Sequence, residues 1–88
     1  MKPRYTVVWS RSARRRLAEL WLDNRAIRQQ IAEAADEIDR ALAYEPTSLG
    51  IPTSERARLV VRPPLAALFL IFEDDRQVRV IYTKLWDD

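Results

Sequence analysis

The spacing of apolar residues changes period twice along the chain. Tyr5 to Trp9, "YTVVW", is β-branched and aromatic, which predicts a short first strand. Ser10 or Ser12 then offers a side-chain oxygen to cap a helix. From Ala13 the residues Ala13, Leu17, Leu20 and Trp21 follow helical spacing, with Arg14, Arg15 and Glu19 on other faces. This helix is expected to end near Asp23-Asn24, with Trp21 in the core. A second helix, Arg25 to Tyr44, carries the stripe Ile27, Ile31, Ala34, Ala35, Ile38 and Leu42, while Gln30, Glu33, Asp36, Glu37 and Arg40 face water. Asp36 and Arg40 stand at i, i+4 and form a favourable pair. Pro46 stops this helix, and at about 30 Å it is long enough to cross a small sheet. The short turn between the helices makes them an antiparallel hairpin.

Beyond the loop Glu45 to Glu55 the period shortens to two. Arg56, Arg58 and Arg62 fall on one face of a strand, and Ala57, Leu59 and Val61 on the other. Pro63-Pro64 forbids ladder donation and predicts a turn. Leu65 to Phe72 is then apolar without a break, the pattern of a central strand covered on both sides. "EDDRQ", from Glu73, turns the chain, and the cluster Glu73 to Asp75 reads as a solvated hairpin turn rather than a cation site. Gln77 to Trp86 is a final strand whose two faces divide less cleanly. The predicted order is β-α-α-β-β-β. It describes a single α+β domain, residues 1–88, in which the helical hairpin packs on a mainly antiparallel sheet ending in a three-strand meander.

Composition mainly excludes. With no His and no Cys, the usual zinc sites, Ser-His and Cys-His nucleophiles and histidine-pair nucleases are ruled out, so no metal and no cofactor is expected. A single glycine, Gly50, leaves no phosphate-cradling loop. No apolar run reaches the length of a membrane span and no signal-peptide core opens the chain, which with the lack of cysteine predicts a cytoplasmic protein. Any chemistry must therefore use Arg, Lys, Tyr, carboxylates or hydroxyls.

Charge is unevenly placed. Residues 1–30 carry eight basic side chains against two acids, residues 31–50 five acids against Arg40, and the remainder balances, for a net +2. Thirteen of the fifteen basic residues are Arg, the type suited to bidentate contact with phosphate or carboxylate, so an acidic partner or a nucleic acid is expected. Candidate contacts are Arg14, Arg15, Arg58 and Arg62. Arg56, Arg58 and Arg62, extended by Arg79, Tyr82 and Lys84, are the candidates for chemistry at a phosphate. Strict alternation points Arg79 away from Tyr82 and Lys84, so these three join one site only through a bulge. Trp86 and Lys84, near the end of the last strand, are candidates for a partner interface.

The segments "YTVVWSRSARRRLAELW", "LAYEPTSLG" and "ARLVVRPPLAALFLIFEDDRQVRVIYTKLW" together resemble the RelE/ParE superfamily, the toxin halves of bacterial toxin–antitoxin pairs, often labelled plasmid stabilisation proteins. The resemblance implies a small acidic antitoxin as partner, a homodimer or a toxin–antitoxin hetero-oligomer, and one of two mechanisms. RelE-type members cut messenger RNA on the ribosome without a metal, using Lys, Arg and Tyr across the sheet; ParE-type members bind and poison DNA gyrase. Arg56 and Arg58 match the paired basic residues of the nuclease pattern. Its next arginine falls on Ala66 or Ala67, its later basic residue near Trp86-Asp87, and its late tyrosine beyond the chain, with Tyr82 too early to stand in. Arg62 is the one cation near enough to replace the missing arginine. The resemblance therefore favours a gyrase-binding poison or a degenerate member, with a ribosome-dependent endoribonuclease and a non-toxic binding domain as the alternatives.

Overall fold

Ser10 fixes where the first strand becomes a helix. In the computed structural model, which describes residues 4–54 and 56–86, Thr6–Trp9 form β1 and Arg11–Asp23 form α1. The Ser10 hydroxyl accepts the Ala13 amide at 3.1 Å, satisfying one of the orphan donors of the first turn. Asn24 closes α1 by donating both its backbone amide and its Nδ2 to the Leu20 carbonyl. The second helix begins later than its apolar stripe suggests: Arg25–Ile27 are a 3-10 turn, and α2 runs Arg28–Tyr44. All four fully buried residues of α2 (Ile31, Ala34, Ile38, Leu42) belong to the expected stripe, and Arg40 pairs with Asp36 at 3.0 Å on the solvent side.

Four further elements complete the sheet: β2 (Ile51–Pro52), β3 (Ala57–Arg62), β4 (Leu65–Phe72) and β5 (Gln77–Leu85). The strand order is β1-β5-β4-β3-β2, with β1 parallel to β5 and the other neighbours antiparallel. The mainly antiparallel meander is thus as expected, and β1 takes an edge. The loop before β3 contains the short strand β2, which its Pro- and Ser-rich sequence does not announce; Glu55 of that loop lies outside the described residues. Pro63 and Pro64, joined by a cis peptide, form the tight turn between β3 and β4.

Both helices lie on one face of the sheet. Phe69 at the middle of β4 is fully buried beneath them with Val60, Leu65, Ala67, Val78 and Val80, against Ile31, Ile38 and Leu42. Each wholly buried side chain of this size contributes about 1.5–3 kcal/mol through loss of contact with water, so this layer supplies most of the driving force.

Two expectations are corrected. β4 is central but covered on one side only: Leu68, Leu70 and Phe72 face away from the helices and are half-buried. Trp21 is not core; it lies on the exposed side of α1 and is 39% accessible. Its guanidinium neighbour Arg28 stacks over the indole at 3.8 Å, so helical spacing reflected a surface contact rather than burial.

Candidate functional site

The register of the strands decides which side chains share the uncovered face. Leu68 of β4 lies opposite Tyr82, but the next residue, Phe69, lies opposite Val80, which leaves Ile81 as an extra residue on β5. This bulge inverts the alternation of the strand. Before it, Val78 and Val80 point into the core and Arg79 points out; after it, Thr83 points in and Tyr82 and Lys84 point out. Arg79, Tyr82 and Lys84 therefore stand on one face in a single row, the arrangement strict alternation forbids. The inward Thr83 is fully buried and its Oγ1 donates to the Ala66 carbonyl at 2.9 Å, so the polar group is satisfied.

The floor beside this row is apolar. Leu59 of β3 and Leu68 of β4 align with Tyr82, Ala57 and Leu70 align with Arg79 and Val8, and Ala66 aligns with Lys84. A shallow cavity of about 280 Å³, lined by Thr53, Leu59, Ala66, Leu68, Tyr82 and Lys84, opens on it. Arg79 lies 5.4 Å from the Phe72 ring centroid and donates to Gln77 Oε1 at 3.3 Å, with no carboxylate partner among the described residues. Lys84 Nζ lies 5.9 Å from the Trp86 ring centroid, and Tyr82 is 44% accessible. An apolar strip edged by cations suits an amphipathic segment that carries carboxylates or phosphates along one side.

The other named cations are elsewhere. Arg58 and Arg62 do share a face of β3, but it is the helix side, where Val60 between them is buried, and Arg56 precedes the strand. Arg58 donates from Nε to the Leu49 carbonyl at 2.9 Å and from Nη2 to the Gly50 carbonyl at 3.2 Å, holding the loop before β2. Arg62 donates from Nη1 to the carbonyl of Val61 at 2.9 Å. Arg56 borders a cavity of about 260 Å³ with Leu70, Ile71 and Phe72. Arg14 and Arg15 are exposed on α1, away from the open sheet face. Trp86 is half-buried, and its amide donates to the Pro64 carbonyl at 2.9 Å. The cations that read as one cluster in sequence thus divide between three surfaces. Sequence reasoning passed over Leu68, Leu70 and Val8 as site residues, although two-sided apolarity on a strand of a two-layer fold was the available signal.

Comparison with known proteins agrees with this architecture. No protein-family model and no curated protein sequence matches the chain. Among solved structures, a chain of the toxin–antitoxin complex RelBE2 from Mycobacterium tuberculosis superposes with a TM-score of 0.79 at 23% identity, covering 100% of this chain and 97% of that one. A chain of the chromosomal ParDE toxin–antitoxin system from P. aeruginosa gives 0.74 at 13% identity, covering 96% and 98%. The chain has the RelE/ParE fold. TrmO from Pseudomonas aeruginosa is also similar, with a TM-score of 0.62 at 26% identity, but the match spans only 37% of that protein. At these identities the likeness carries the fold and not the RelE/ParE residues of either mechanism. Among the described residues no helix is long and apolar enough to cross a membrane.

Proposed function

We propose that this chain is the toxin component of a toxin–antitoxin pair, acting by binding a protein target such as DNA gyrase. An acidic antitoxin segment laid over the open sheet face would hold it inactive. The observation that carries this reading is the open face itself: a row of Arg79, Tyr82 and Lys84 beside the half-buried Leu68, Leu70 and Phe72. Carboxylates of an antitoxin would pair with the two cations while its apolar side chains cover the leucines, which removes this apolar surface from water. The similarity in fold to chains of RelBE2 and ParDE complexes supports the same partner class.

A binding role fits better than catalysis because the cations are separated. RNA cleavage requires a proton acceptor, a donor and charge stabilisation around one phosphate. Arg58 is engaged with loop carbonyls on the opposite face, and Ala66 leaves the head of β4 without charge. One observation favours the ribonuclease reading as the second: the bulge at Ile81 places a tyrosine between two cations on a sheet that also presents Phe72, a surface suited to a single-stranded nucleic acid.

Induced expression in a bacterial host, with and without the acidic reading frame beside the gene, tests the proposal. Growth arrest relieved by co-expression is expected, together with inhibited gyrase supercoiling and intact transcripts. Arg79→Ala with Lys84→Ala should abolish arrest without changing the melting curve, since both side chains are exposed. Normal growth with abundant soluble protein overturns the toxin reading. Ribosome-dependent cuts in transcripts, lost in Tyr82→Phe, would replace the first mechanism by the second.

A further inference from the structure

The start of β1, the end of α2 and the turn between β4 and β5 border a mostly polar hollow of about 310 Å³. Arg4 and Tyr5 line it from the chain entering β1, Arg76 from the turn, and Glu45, Thr47 and Ser48 from the chain leaving α2. None of these residues belongs to the row or the floor of the open sheet face. Backbone hydrogen bonds lock the three segments together. The amides of Arg4 and Tyr5 both donate to the Ala43 carbonyl, at 2.8 and 2.9 Å, and the Thr6 amide donates to the Arg76 carbonyl at 2.9 Å. The Arg76 amide closes its own turn on the Glu73 carbonyl at 3.1 Å, with φ at +50°. The walls of the hollow are therefore set before anything enters it, which lowers the cost of binding.

The two arginines of the hollow are spare in the fold. Carbonyls in the last turn of α2 already have amide donors, Arg4 and Tyr5 on Ala43 and Glu45 on Ala41, and do not need a guanidinium. The Glu73 carboxylate, at the start of the turn that holds Arg76, accepts the Tyr5 hydroxyl at 3.0 and 3.1 Å. Among the described residues neither Arg4 nor Arg76 forms an ion pair; Arg76 lies over the Tyr5 ring, 5.4 Å from its centroid. Two such arginines beside one hollow suit a phosphate group, whose oxygens match the guanidinium fork. Glu45 restricts what the phosphate is attached to. Its Oε2 accepts the Ser48 hydroxyl at 3.3 Å, and a carboxylate retains further acceptor capacity, so Glu45 repels a bare anion but accepts from a hydroxyl. The hollow also stands at the small end of the range for ligand sites.

We propose that this hollow binds a small phosphomonoester with a hydroxylated body, either a sugar phosphate or a nucleoside monophosphate. Arg4 and Arg76 hold the phosphate, and Glu45 accepts from a hydroxyl of the sugar. Titration of the full chain with ribose 5-phosphate, adenosine monophosphate, ribose or inorganic phosphate, followed by amide chemical shifts, tests this without recourse to toxicity. The esters should bind with a Kd below about 1 mM, at least roughly tenfold more tightly than ribose or inorganic phosphate. Equal affinity of the two esters assigns the site to sugar phosphates, and tighter binding of the nucleotide adds the base to what is recognised. Arg4→Gln and Arg76→Asn should each weaken both esters at least roughly tenfold with an unchanged melting curve, because both arginines are exposed and asparagine tolerates the positive φ. Glu45→Gln should weaken ribose 5-phosphate while tightening inorganic phosphate, since it removes both a repelling charge and the stronger acceptor. No saturable shift with either ester up to about 10 mM overturns the proposal. Inorganic phosphate bound as tightly as the esters means an adventitious ion only and overturns it too. So does ester binding unaffected by Arg4→Gln and Arg76→Asn, or a Glu45→Gln chain that holds ester and inorganic phosphate more tightly alike.

Discussion

Arg58 separates a structural from a functional use of the same cation. Its two donors hold the carbonyls of Leu49 and Gly50, and the chain at Gly50 adopts a φ of +76°, a conformation that suits glycine. A Cβ there would fall on the Leu59 carbonyl oxygen and 2.9 Å from its carbon, so the loop presses closely on β3. Truncation in Arg58→Ala removes both hydrogen bonds. At about 1 kcal/mol each for a partly exposed charged donor, the loss is about 2 kcal/mol. In a domain of this size that corresponds to a melting temperature lower by roughly 8–16 °C. Arg58→Lys keeps the charge but not the fork, reaches one carbonyl at most, and should recover about half of the loss. Gly50→Ala strains the same loop and should cost more than about 1 kcal/mol. The double variant should be less unstable than the two changes added together, because each loosens what the other holds. Urea unfolding followed by far-ultraviolet circular dichroism reads all four proteins. A stability change below about 0.5 kcal/mol in Arg58→Ala, combined with loss of growth arrest, would refute the latch and return Arg58 to the functional site.

Phe69→Ala empties the centre of the core beneath α2 and should destabilise by about 3–5 kcal/mol, enough to leave the chain largely unfolded in a thermal scan. Ser10→Ala removes the cap of α1 and should cost about 1 kcal/mol by urea titration, whereas Ser10→Asp should retain most of it.

The periodicities carried the fold well where burial is one-sided and regular. The α2 stripe is legible because every fully buried residue of that helix falls on it. β3 is legible because Arg58 and Val60 share a parity that the register confirms. That parity says nothing about which face is covered, and here it assigns the arginines to the helix side. Trp21 misleads for a related reason. Helical spacing places it beside Leu17 and Leu20 but cannot distinguish burial in the core from stacking by Arg28, which sits seven residues away across the turn. β2 is hidden because two residues pairing with Leu59 and Arg58 need no pattern of their own.

The last strand shows most directly why the candidate site was only half visible. "QVRVIYTKL" has no single alternation because it contains two, in opposite phase, joined at Ile81. A bulge is a property of a pair of strands: the extra residue exists only relative to the partner that lacks it. β4, the partner, gives no hint, since its residues are apolar on both faces and tolerate either phase. The same ambiguity that hides the bulge explains the apolar run of β4. Its inward residues answer to α1 and α2, and its outward residues, Leu68, Leu70 and Phe72, stay half-buried with no helix over them among the described residues. Solvent exposure of such a strip is unfavourable unless a second molecule covers it for part of its lifetime. Because the bulge turns Arg79, Tyr82 and Lys84 to that same side, the acidic antitoxin segment proposed above would meet cations and apolar surface together there.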